Sequence, residues 1–346
     1  MKHRAFFWFI LPTLAAMTLF IALPIVSVFV QSLYVQHEQV LVISENCGPF
    51  GCKQSTSVDI AATEKLREEA PLGQFNGLGT YSNRSHLAFA EVGAAWATSD
   101  TIDAFWDEVV NLPFYGALTF TLTYTAAVTP LVLLLGLAIA IGVNSLPSLL
   151  KGPSIFVSLL PFLVTPLVGS LILFWMVDSD GVIGAIIQLI FDDPNLSLKA
   201  SATLTWTMLI LYGVWHTLPF SFIVFYAGLQ TVPLETLEAA QVDGATKWQR
   251  TIYVVVPHLV PLISFVTLML LMDNFRVFEP IVSFSAEAHA RSLSWIIFNA
   301  LRESGNPLYG SAGATSMLTI LGVVFLLTPV LIRTWRDFKG AGRLGR

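Results

Sequence analysis

The chain has 346 residues, of which 55% are hydrophobic and 12% are charged, and its formal net charge is −5. An ordinary soluble domain carries about a quarter of its residues as charged side chains, so this composition excludes one and indicates that lipid is the main solvent. Nucleic acid is also excluded as a partner, because it requires clustered basic side chains and these occur only in the C-terminal tail.

Six apolar segments are long enough to cross a bilayer, a distance that takes about 20 helical residues. The sequence therefore predicts an all-α polytopic membrane protein. The first apolar run is too long for a cleaved signal and lacks a small-residue cleavage site, which predicts a retained anchor. The six predicted spans are 5–34, 114–143, 154–177, 204–229, 256–275 and 312–334.

Basic residues predict the orientation of these spans, since Lys and Arg are enriched in cytoplasmic loops. With both termini inside, the inner segments carry ten basic and four acidic residues, whereas the outer segments and span edges carry eight basic and nineteen acidic ones. The predicted regions are a cytoplasmic N-terminus with the first span (1–34), an extracytoplasmic insertion (35–113), a transmembrane core with the other five spans (114–335) and a basic cytoplasmic tail (336–346).

Two predicted outer segments have structure of their own. The insertion is predicted to be a small folded region with short helices at 57–70 and 100–110. The second outer segment, 178–200, contains an apolar run at 182–191 that has only about half the length of a span. This run is predicted to be a helix at the membrane interface.

Two cysteines, Cys47 and Cys52, flank the sequence Gly-Pro-Phe-Gly in the insertion. Their spacing suits a turn closed by a disulfide, and the predicted extracytoplasmic location is oxidising. A redox or metal site is the alternative. Two cysteines without a neighbouring His pair are too few for a structural zinc set, so no metal is predicted.

The stretch between the fourth and fifth spans, AGLQTVPLETLEAAQVDGATKWQ at 227–249, predicts a helix, a sharp turn and a second helix. Pro233 suits a first helical turn, where its missing N–H is not needed, and Glu235 favours the positive end of the helix dipole. Gly244 is predicted to end this helix, because glycine enters the left-handed conformation without steric cost. The second helix is predicted to start at Ala245.

The small side chains of Ala239 and Ala240 leave one face of the first helix almost without bulky groups. Such a face can fit closely into a groove on a partner protein. The segments 238–240 (Glu-Ala-Ala), 243–245 (Asp-Gly-Ala) and 254–257 (Val-x-Val-Pro) resemble the EAA signature of binding-protein-dependent ABC permeases. The resemblance implies a coupling helix that docks in a cleft of a separate ATPase subunit. The implied contact residues in the loop 230–257 are Glu235, Glu238, Ala239, Ala240, Asp243, Gly244 and Ala245.

Most of the chain, from Phe114 to Trp335, further resembles the maltose-type, or carbohydrate-uptake, permeases. Similar stretches lie at 136–140 (GLAIA), 227–230 (AGLQ) and 275–281 (FRVFEPI). The resemblance implies the type I ABC importer permease fold with six transmembrane helices. It also implies import of a sugar, glycoside or polyol that an extracytoplasmic binding protein delivers.

The same resemblance implies the partners and the location. The expected partners are a second homologous permease subunit in a heterodimer, two ATPase subunits and the solute-binding protein, in a bacterial cytoplasmic (inner) membrane. The chain has no Gly-x-x-x-x-Gly-Lys-Ser/Thr phosphate loop, so ATP and Mg are expected on the partner ATPase. We expect neither a cofactor nor an enzymatic activity on this chain.

Polar and aromatic residues within the spans are candidates for the substrate path, since the resemblance implies a cavity lined by spans three to six. Trp215 and His216, just before the helix-breaking Pro219, offer a ring to the apolar face of a sugar and a group that bonds its hydroxyls. The alternative is an inter-helix contact in which the backbone satisfies both side chains.

A second group of candidates follows the fifth span. It lies about 28 Å along a straight helix from Val254, so charges at the interface or contacts to a binding protein are the alternative to a substrate role. Asp273 and Arg276 belong to the same stretch. The substrate-path candidates in it are Asn274, Phe275, Phe278 and Glu279.

Two other classes of function are less compatible with the sequence. A secondary transporter would need paired carboxylates or broken helices in two related halves. A membrane-embedded enzyme would need clustered acids, a metal set or a nucleophile with its base at membrane depth. The spans favour neither class.

Overall fold

The structure, a computed structural model, describes residues 2–37, 40–48, 51–193, 197, 199, 201–302 and 308–344. The side chains of residues 2–5, 7, 44–48, 51–55 and 337–344 lie outside that description. Most of the described residues are helical, which confirms the predicted fold class. It forms two compact units, one of 1–116 with 293–320 and one of 117–292 with 321–346.

The helices and strands are numbered in chain order. The helices are α1 (Lys2–Met17), α2 (Leu23–Ser32), α3 (Ile60–Glu69), α4 (Gly79–Ser82), α5 (Phe89–Thr98), α6 (Ile102–Val110), α7 (Pro113–Asn144), α8 (Ser148–Leu163), α9 (Pro166–Val177), α10 (Val182–Phe191), α11 (Ala202–Leu229), α12 (Leu234–Val242), α13 (Lys247–Arg250), α14 (Val256–Phe275), α15 (Glu279–Ser283), α16 (Leu293–Arg302) and α17 (Tyr309–Leu344). The strands are β1 (Tyr34–Val35), β2 (Leu41–Gly48), β3 (Gly51–Val58) and β4 (Gln74–Phe75). Turns of π-helix at Thr18–Ala22 and Thr251–Val255 join α1 to α2 and α13 to α14.

Five of the described helices are long and apolar enough to cross a membrane, and the pair α8 and α9 makes a sixth crossing if it is counted as one span. The six predicted spans are therefore all present as apolar helices. The third differs from the expected straight helix, because α8 and α9 meet at an angle of 92°. The long spans cover Trp8–Ser32, Pro113–Asn144, Ala202–Leu229, Lys247–Phe275 and Tyr309–Arg336.

Short strands in the insertion were not predicted from the sequence. β1 pairs with β4 and β2 with β3, both antiparallel, and the second pairing sets Cys47 opposite Cys52. Residues opposite each other in such a pair have Cα atoms about 4.5–5.5 Å apart, within the range that a disulfide spans. The side chains of both cysteines lie outside the described residues, so the disulfide stays a prediction.

The two helices predicted in the insertion are present as α3 and α6. Each begins after a capping side chain: Asp59 accepts a hydrogen bond from the Ala62 N–H at 3.0 Å, and Thr101 accepts one from the Ala104 N–H at 3.3 Å. These caps satisfy N–H groups that the first helical turn leaves without partners. They explain why both helices start two or three residues later than predicted.

Glycines allow α2 and α17 to approach closely within the first unit. A Cβ added to Gly310 would collide with the carbonyl oxygen of Tyr34, and one added to Gly313 would lie 2.9 Å from the carbonyl oxygen of Val28. Small residues that let backbones approach are typical of helix contacts in membranes. The first span is thereby held to the beginning of the last one.

The second unit packs α7, α11 and α14 in the same way. A Cβ on Gly136 would lie 2.7 Å from the Ser221 hydroxyl, and one on Gly213 would collide with the hydroxyl of Tyr124. Gly228 faces two leucines of α14 at similarly short range. These contacts bring the three helices together without bulky side chains between them.

A buried histidine links the insertion to α17 inside the first unit. The ring of His86 is fully buried, with Nε2 3.0 Å from the carbonyl oxygen of Ser311 and Nδ1 2.8 Å from the side-chain oxygen of Asn83. Burial lowers the pKa of His86 below its ordinary value of 6.5, and backbone hydrogen bonds with Ser311 and Thr80 oppose this effect. The folded unit therefore favours the neutral ring.

We predict that the stability of this unit falls as the pH drops below about 6.5, because the unfolded chain then binds a proton that folded His86 resists. The contribution is fully present above that pH. Thermal unfolding of the purified protein at about pH 7.5 and about pH 5.5 measures it. The variant His86→Gln, which does not titrate, should melt lower at both values and show a smaller difference between them. An unchanged difference in this variant would contradict the prediction.

Candidate functional site

The loop between α11 and α14 contains the predicted helix and turn. α12 begins at Leu234, and Pro233 precedes it as the N-cap residue with an extended ψ of 127°. Pro233 is thus one position outside the first turn in which it was predicted. Glu235 lies in that first turn, as expected, where a negative charge favours the positive end of the helix dipole.

Gly244 ends α12 in the left-handed conformation, with a φ of +79°. The Gly244 N–H donates to the carbonyl of Gln241 at 3.1 Å, and the Ala245 N–H donates to the carbonyl of Ala240 at 3.0 Å. These two bonds form a Schellman cap, which satisfies carbonyl groups at the end of the helix. The predicted role of Gly244 in ending the helix is confirmed by this geometry.

A second cap sets the start of α13. Thr246 accepts a hydrogen bond from the Gln249 N–H at 3.3 Å, and the Gln249 side chain accepts one from the Thr246 N–H at 2.8 Å. This capping box delays the second helix from the predicted Ala245 to Lys247. Arg250 then donates to the side chain of Gln241 at 3.0 Å and holds the two helices together. We call residues 234–250 the elbow.

The elbow presents most of its surface outward. α12 and α13 contain no buried residue, and the side chains of Val242 and Trp248 are 88% and 72% exposed. Exposed apolar groups of this size at a helix end suit a protein partner. Among the predicted contact residues, Glu235, Glu238, Ala239, Asp243 and Gly244 are exposed, whereas Ala240 and Ala245 are half-buried.

Hydrogen bonds next to the elbow join the ends of three spans. Gln230 donates to the side chain of Asn144 at 3.0 Å, which connects the end of α11 to the end of α7. The Thr231 hydroxyl lies 3.0 Å from Nε2 of His258 in α14. The elbow is therefore attached to helices that continue through the membrane.

A cavity of about 330 Å³ lies between helices of the second unit. By the helical rise of about 1.5 Å per residue, His216 is about 20 Å along α11 from Leu229, and Asp273 is about 25 Å along α14 from Val256. The cavity thus extends from the middle of α11 to the end of α14 that lies away from the elbow. Its lining residues are Phe162 of α8, His216, Thr217 and Phe220 of α11, and Met269, Leu270, Met272, Asp273 and Arg276 at the end of α14.

One wall of the cavity adjoins the break between α8 and α9. Pro166 has no N–H, and the residue before a proline favours extended backbone, so α8 ends before this point. Nε2 of His216 lies 3.0 Å from the carbonyl oxygen of Val164, and the Tyr212 hydroxyl donates to the carbonyl of Pro166 at 2.9 Å. Because an unsatisfied carbonyl is costly in lipid, His216 stabilises the bend at Val164. The carbonyl of Pro166 also accepts from the Ser170 hydroxyl at 2.6 Å, so Tyr212 serves there to attach the start of α9 to α11.

The predicted substrate-path residues in α11 occupy different environments. His216 lines the cavity and also bonds the backbone of the broken span, so the inter-helix contact weighed from the sequence is present. Trp215 is 48% exposed, and its ring lies 6.0 Å from that of Tyr212. The structure does not place Trp215 among the residues that line the cavity.

The four substrate-path candidates near the end of α14 also lie in different environments. Asn274 is buried and donates to the Thr129 hydroxyl at 3.1 Å, and Phe275 is buried where it meets Gly322. Phe278 precedes α15 as its N-cap residue, and Glu279 is exposed in the first turn of that helix. None of these four side chains is among those that line the cavity.

Other residues that line the cavity were not among the predicted sites, although the sequence contained a signal for them. Met269 and Met272 are three residues apart, a spacing that places side chains on one face of a helix. Thr217 and Phe220 show the same spacing in α11. This spacing selects a helix face, but it does not tell which face meets a cavity and which meets lipid. Asp273 and Arg276, which the sequence left between an interface role and a cavity role, also line the cavity.

These membrane crossings, together with an exposed elbow joined to three spans, define the transmembrane component of a transport system. The chain belongs to the family of binding-protein-dependent transport system inner membrane components, whose model matches residues 113–337. The family resemblance predicted from the EAA motif is thereby confirmed. The match covers the helices from α7 onward and leaves the insertion outside it.

Curated relatives are similar over most of the same region. The probable ABC transporter permease protein YesP of Bacillus subtilis is 31% identical over 225 residues, which are 62% of this chain and 71% of that protein. The multiple sugar-binding transport system permease protein MsmF of Streptococcus mutans is 29% identical over 62% of this chain and 74% of its own length. The trehalose transport system permease protein SugA of Mycobacterium tuberculosis is 29% identical, with coverage of 67% and 71%.

Two solved structures share the fold. A chain of a bacterial ABC transporter involved in the import of the acidic polysaccharide alginate matches with a TM-score of 0.56 and 23% identity, over 72% of this chain and 90% of that one. A bacterial alginate ABC transporter in complex with an alginate pentasaccharide-bound periplasmic protein gives a TM-score of 0.54 and 21% identity, over 70% and 85%. Both likenesses support the type I permease fold.

We predict that Gly244→Val disrupts the elbow, because a β-branched residue in the left-handed conformation costs about 1–2 kcal/mol or more. No neighbour within 4 Å obstructs a new Cβ, so the cost is in the backbone conformation. Gly244→Asn is the matched control, since Asn tolerates this conformation best among residues with a side chain. Proteolytic nicking of the loop should increase in the Val variant and much less in the Asn variant. Equal nicking of the two variants would contradict a conformational role.

A second prediction concerns the break between α8 and α9. A Cβ on Gly169 would lie 2.5 Å from the Tyr212 hydroxyl, so Gly169→Ala should displace that donor and destabilise the protein by about 1–3 kcal/mol. Gly142→Ala in α7 is the control, because no atom lies within 4 Å of its added Cβ, and it should be neutral or slightly stabilising. Thermal unfolding of both variants provides the comparison, and similar melting temperatures would argue against the contact.

Proposed function

We propose that this chain is one transmembrane subunit of an ATP-driven importer that moves a sugar, glycoside or polyol into a bacterial cell. The observation that carries the proposal is the elbow, a capped and exposed helix pair in a chain of the binding-protein-dependent transport family. The chain contributes the path and the coupling surface. Hydrolysis of ATP takes place on separate subunits, which bind the ATP and Mg.

The elbow is the proposed contact with the ATPase. Val242 and Trp248 provide exposed apolar surface at the turn, and Glu235, Glu238 and Asp243 provide charged contacts around it. The small side chains of Ala239 and Ala240 permit close approach to a cleft. Because the elbow continues from the end of α11, which is bonded to α7 and α14, movement of the ATPase subunits is transmitted to the cavity-lining spans α11 and α14.

The proposed orientation places the elbow and both ends of the chain in the cytoplasm, in the inner membrane. The excess of basic residues on that side supports this orientation. The insertion then lies outside, where a solute-binding protein delivers the substrate. A second, homologous permease subunit completes the path, and two ATPase subunits complete the importer.

The cavity supports a polyhydroxylated substrate. Phe162 and Phe220 offer apolar rings that suit the C–H faces of a sugar, and Thr217, Asp273 and Arg276 offer groups that bond hydroxyls. Its volume of about 330 Å³ is at the lower end of the range for small-ligand sites. Relatives whose names include multiple sugars and trehalose support the same class of substrate.

Purification of the tagged chain from its native membrane tests the proposal. We predict that an ATPase and a second permease accompany the wild-type chain and the Gly244→Asn variant, whereas the ATPase is lost from Gly244→Val. In vesicles, sugar uptake by the wild-type complex should require both ATP and the binding protein. Uptake that an ion gradient drives without ATP would refute the proposal in favour of a secondary transporter.

A further inference from the structure

We infer that the cavity of the second unit selects uncharged sugars and rejects sugars that carry a carboxylate. The inference rests on the proposed function and extends it to the charge of the substrate. It comes from the ionised side chains at the end of α14 and from the charge of the segments beside them, all of which belong to the same unit.

The cationic group of the cavity is already paired. Nη2 of Arg276 lies 3.0 Å from Oδ1 of Asp273, and both side chains are largely exposed, at 71% and 62%. Both residues line the cavity, so a ligand meets the pair and not an isolated guanidinium. The two charges cancel, while the guanidinium N–H groups and the carboxylate oxygens remain able to bond hydroxyls.

A second carboxylate makes the local charge negative. Glu279 is exposed three residues after Arg276 and lies close enough to Tyr212 to interact with it electrostatically. The ring of Tyr212 is stacked on that of His216, with 5.8 Å between their centroids. The described salt bridges join Arg276 to Asp273 and Lys199 to Asp178, and Glu279 takes part in neither. Asp273, Arg276 and Glu279 together therefore carry one net negative charge.

The stretch that follows α9 and the stretch that starts at the end of α14 also carry more acidic than basic residues. Lys199 is engaged by Asp178 at 2.7 Å, and its amino group also lies 3.4 Å from the ring centre of Phe174. Residues 178–199 and 273–291 contain seven acidic side chains and three basic ones, a net charge of −4. The acidic residues are Asp178, Asp180, Asp192, Asp193, Asp273, Glu279 and Glu287, and the basic ones are Lys199, Arg276 and Arg291.

A negative potential at the cavity acts against acidic ligands by two routes. It lowers the local concentration of anions and slows their association, an effect that salt screens. It also places a ligand carboxylate beside Asp273, and such like-charge contacts are a common means of rejecting a wrong partner. An uncharged sugar meets neither obstacle, because aromatic and hydroxyl contacts do not depend on its charge.

The potential is measured directly with a cysteine in the cavity. Met272→Cys places a thiol on the lining, and methanethiosulfonate reagents of opposite charge are applied to the assembled importer, with the reaction of the wild-type chain subtracted. After correction for the reactivity of a free thiol, the cationic reagent should react about tenfold faster at low salt. The preference should shrink at high salt. An equal or faster reaction of the anionic reagent would overturn the inference.

Charge variants and a control position assign the preference to these side chains. Asp273→Asn with Glu279→Gln should reduce the preference for the cationic reagent, and Arg276→Gln should increase it. Leu149→Cys in α8 is exposed beside Lys151, far along the sequence from these acids. At this position, the ratio of the reaction rates of the two reagents should be the same with and without the charge variants. A preference that the variants leave unchanged would overturn the inference.

Protection by sugars connects the potential to substrate choice. Glucose should slow the reaction of Met272→Cys with a neutral thiol reagent more than glucuronate does at equal concentration and ionic strength. The difference should narrow in the variant that lacks both carboxylates. Equal protection by the two sugars, or protection by neither, would overturn the inference. ATP-dependent uptake of a neutral sugar in the same vesicles tests the proposed function separately, and its loss would refute that function instead.

Discussion

The constraint on which this structure depends is that backbone groups within a bilayer must find partners inside the protein. Most of the spans meet it as continuous helices. At the break between α8 and α9, α11 provides hydrogen-bond partners, because Tyr212 and His216 reach the carbonyl groups of Pro166 and Val164. These bonds fix the bent span against α11, and the cavity wall that contains Phe162 and His216 is a consequence of that attachment.

Small residues let the same helices approach each other. In the second unit, Gly136 and Gly213 remove the side chains that would separate α7 from α11, and Gly228 does so between α11 and α14. Close contact of this kind holds the three spans against one another. The hydrogen bonds of Gln230 and Thr231 join the end of α11, just before the elbow, to α7 and α14. The proposed coupling surface and the cavity therefore belong to one set of helices, with the cavity between the middle of α11 and the far end of α14.

The ionised side chains at the end of α14 show that a charged group near the membrane can be paired with a neighbouring charge, so that a ligand does not meet it alone. Asp273 and Arg276 neutralise each other on the wall of the cavity, and Glu279 adds a charge beside them. Such groups are expensive in lipid and are usually retained for function. The proposed selectivity therefore depends on the summed charge of Asp273, Arg276 and Glu279 and not on the guanidinium of Arg276 alone.

Local signals in the sequence determined the apolar spans, the short helix α10 and the elbow. A span needs only sufficient apolar length, and Gly244 ends α12 because of its own backbone freedom. The bend in the third span could not be predicted in this way, since prolines at 130, 219, 261 and 329 all remain inside helices. A proline removes a hydrogen bond wherever it lies. Only the tertiary structure decided that the helix breaks before Pro166, because there another span provides a partner for the Val164 carbonyl through His216 and attaches the start of α9 through Tyr212.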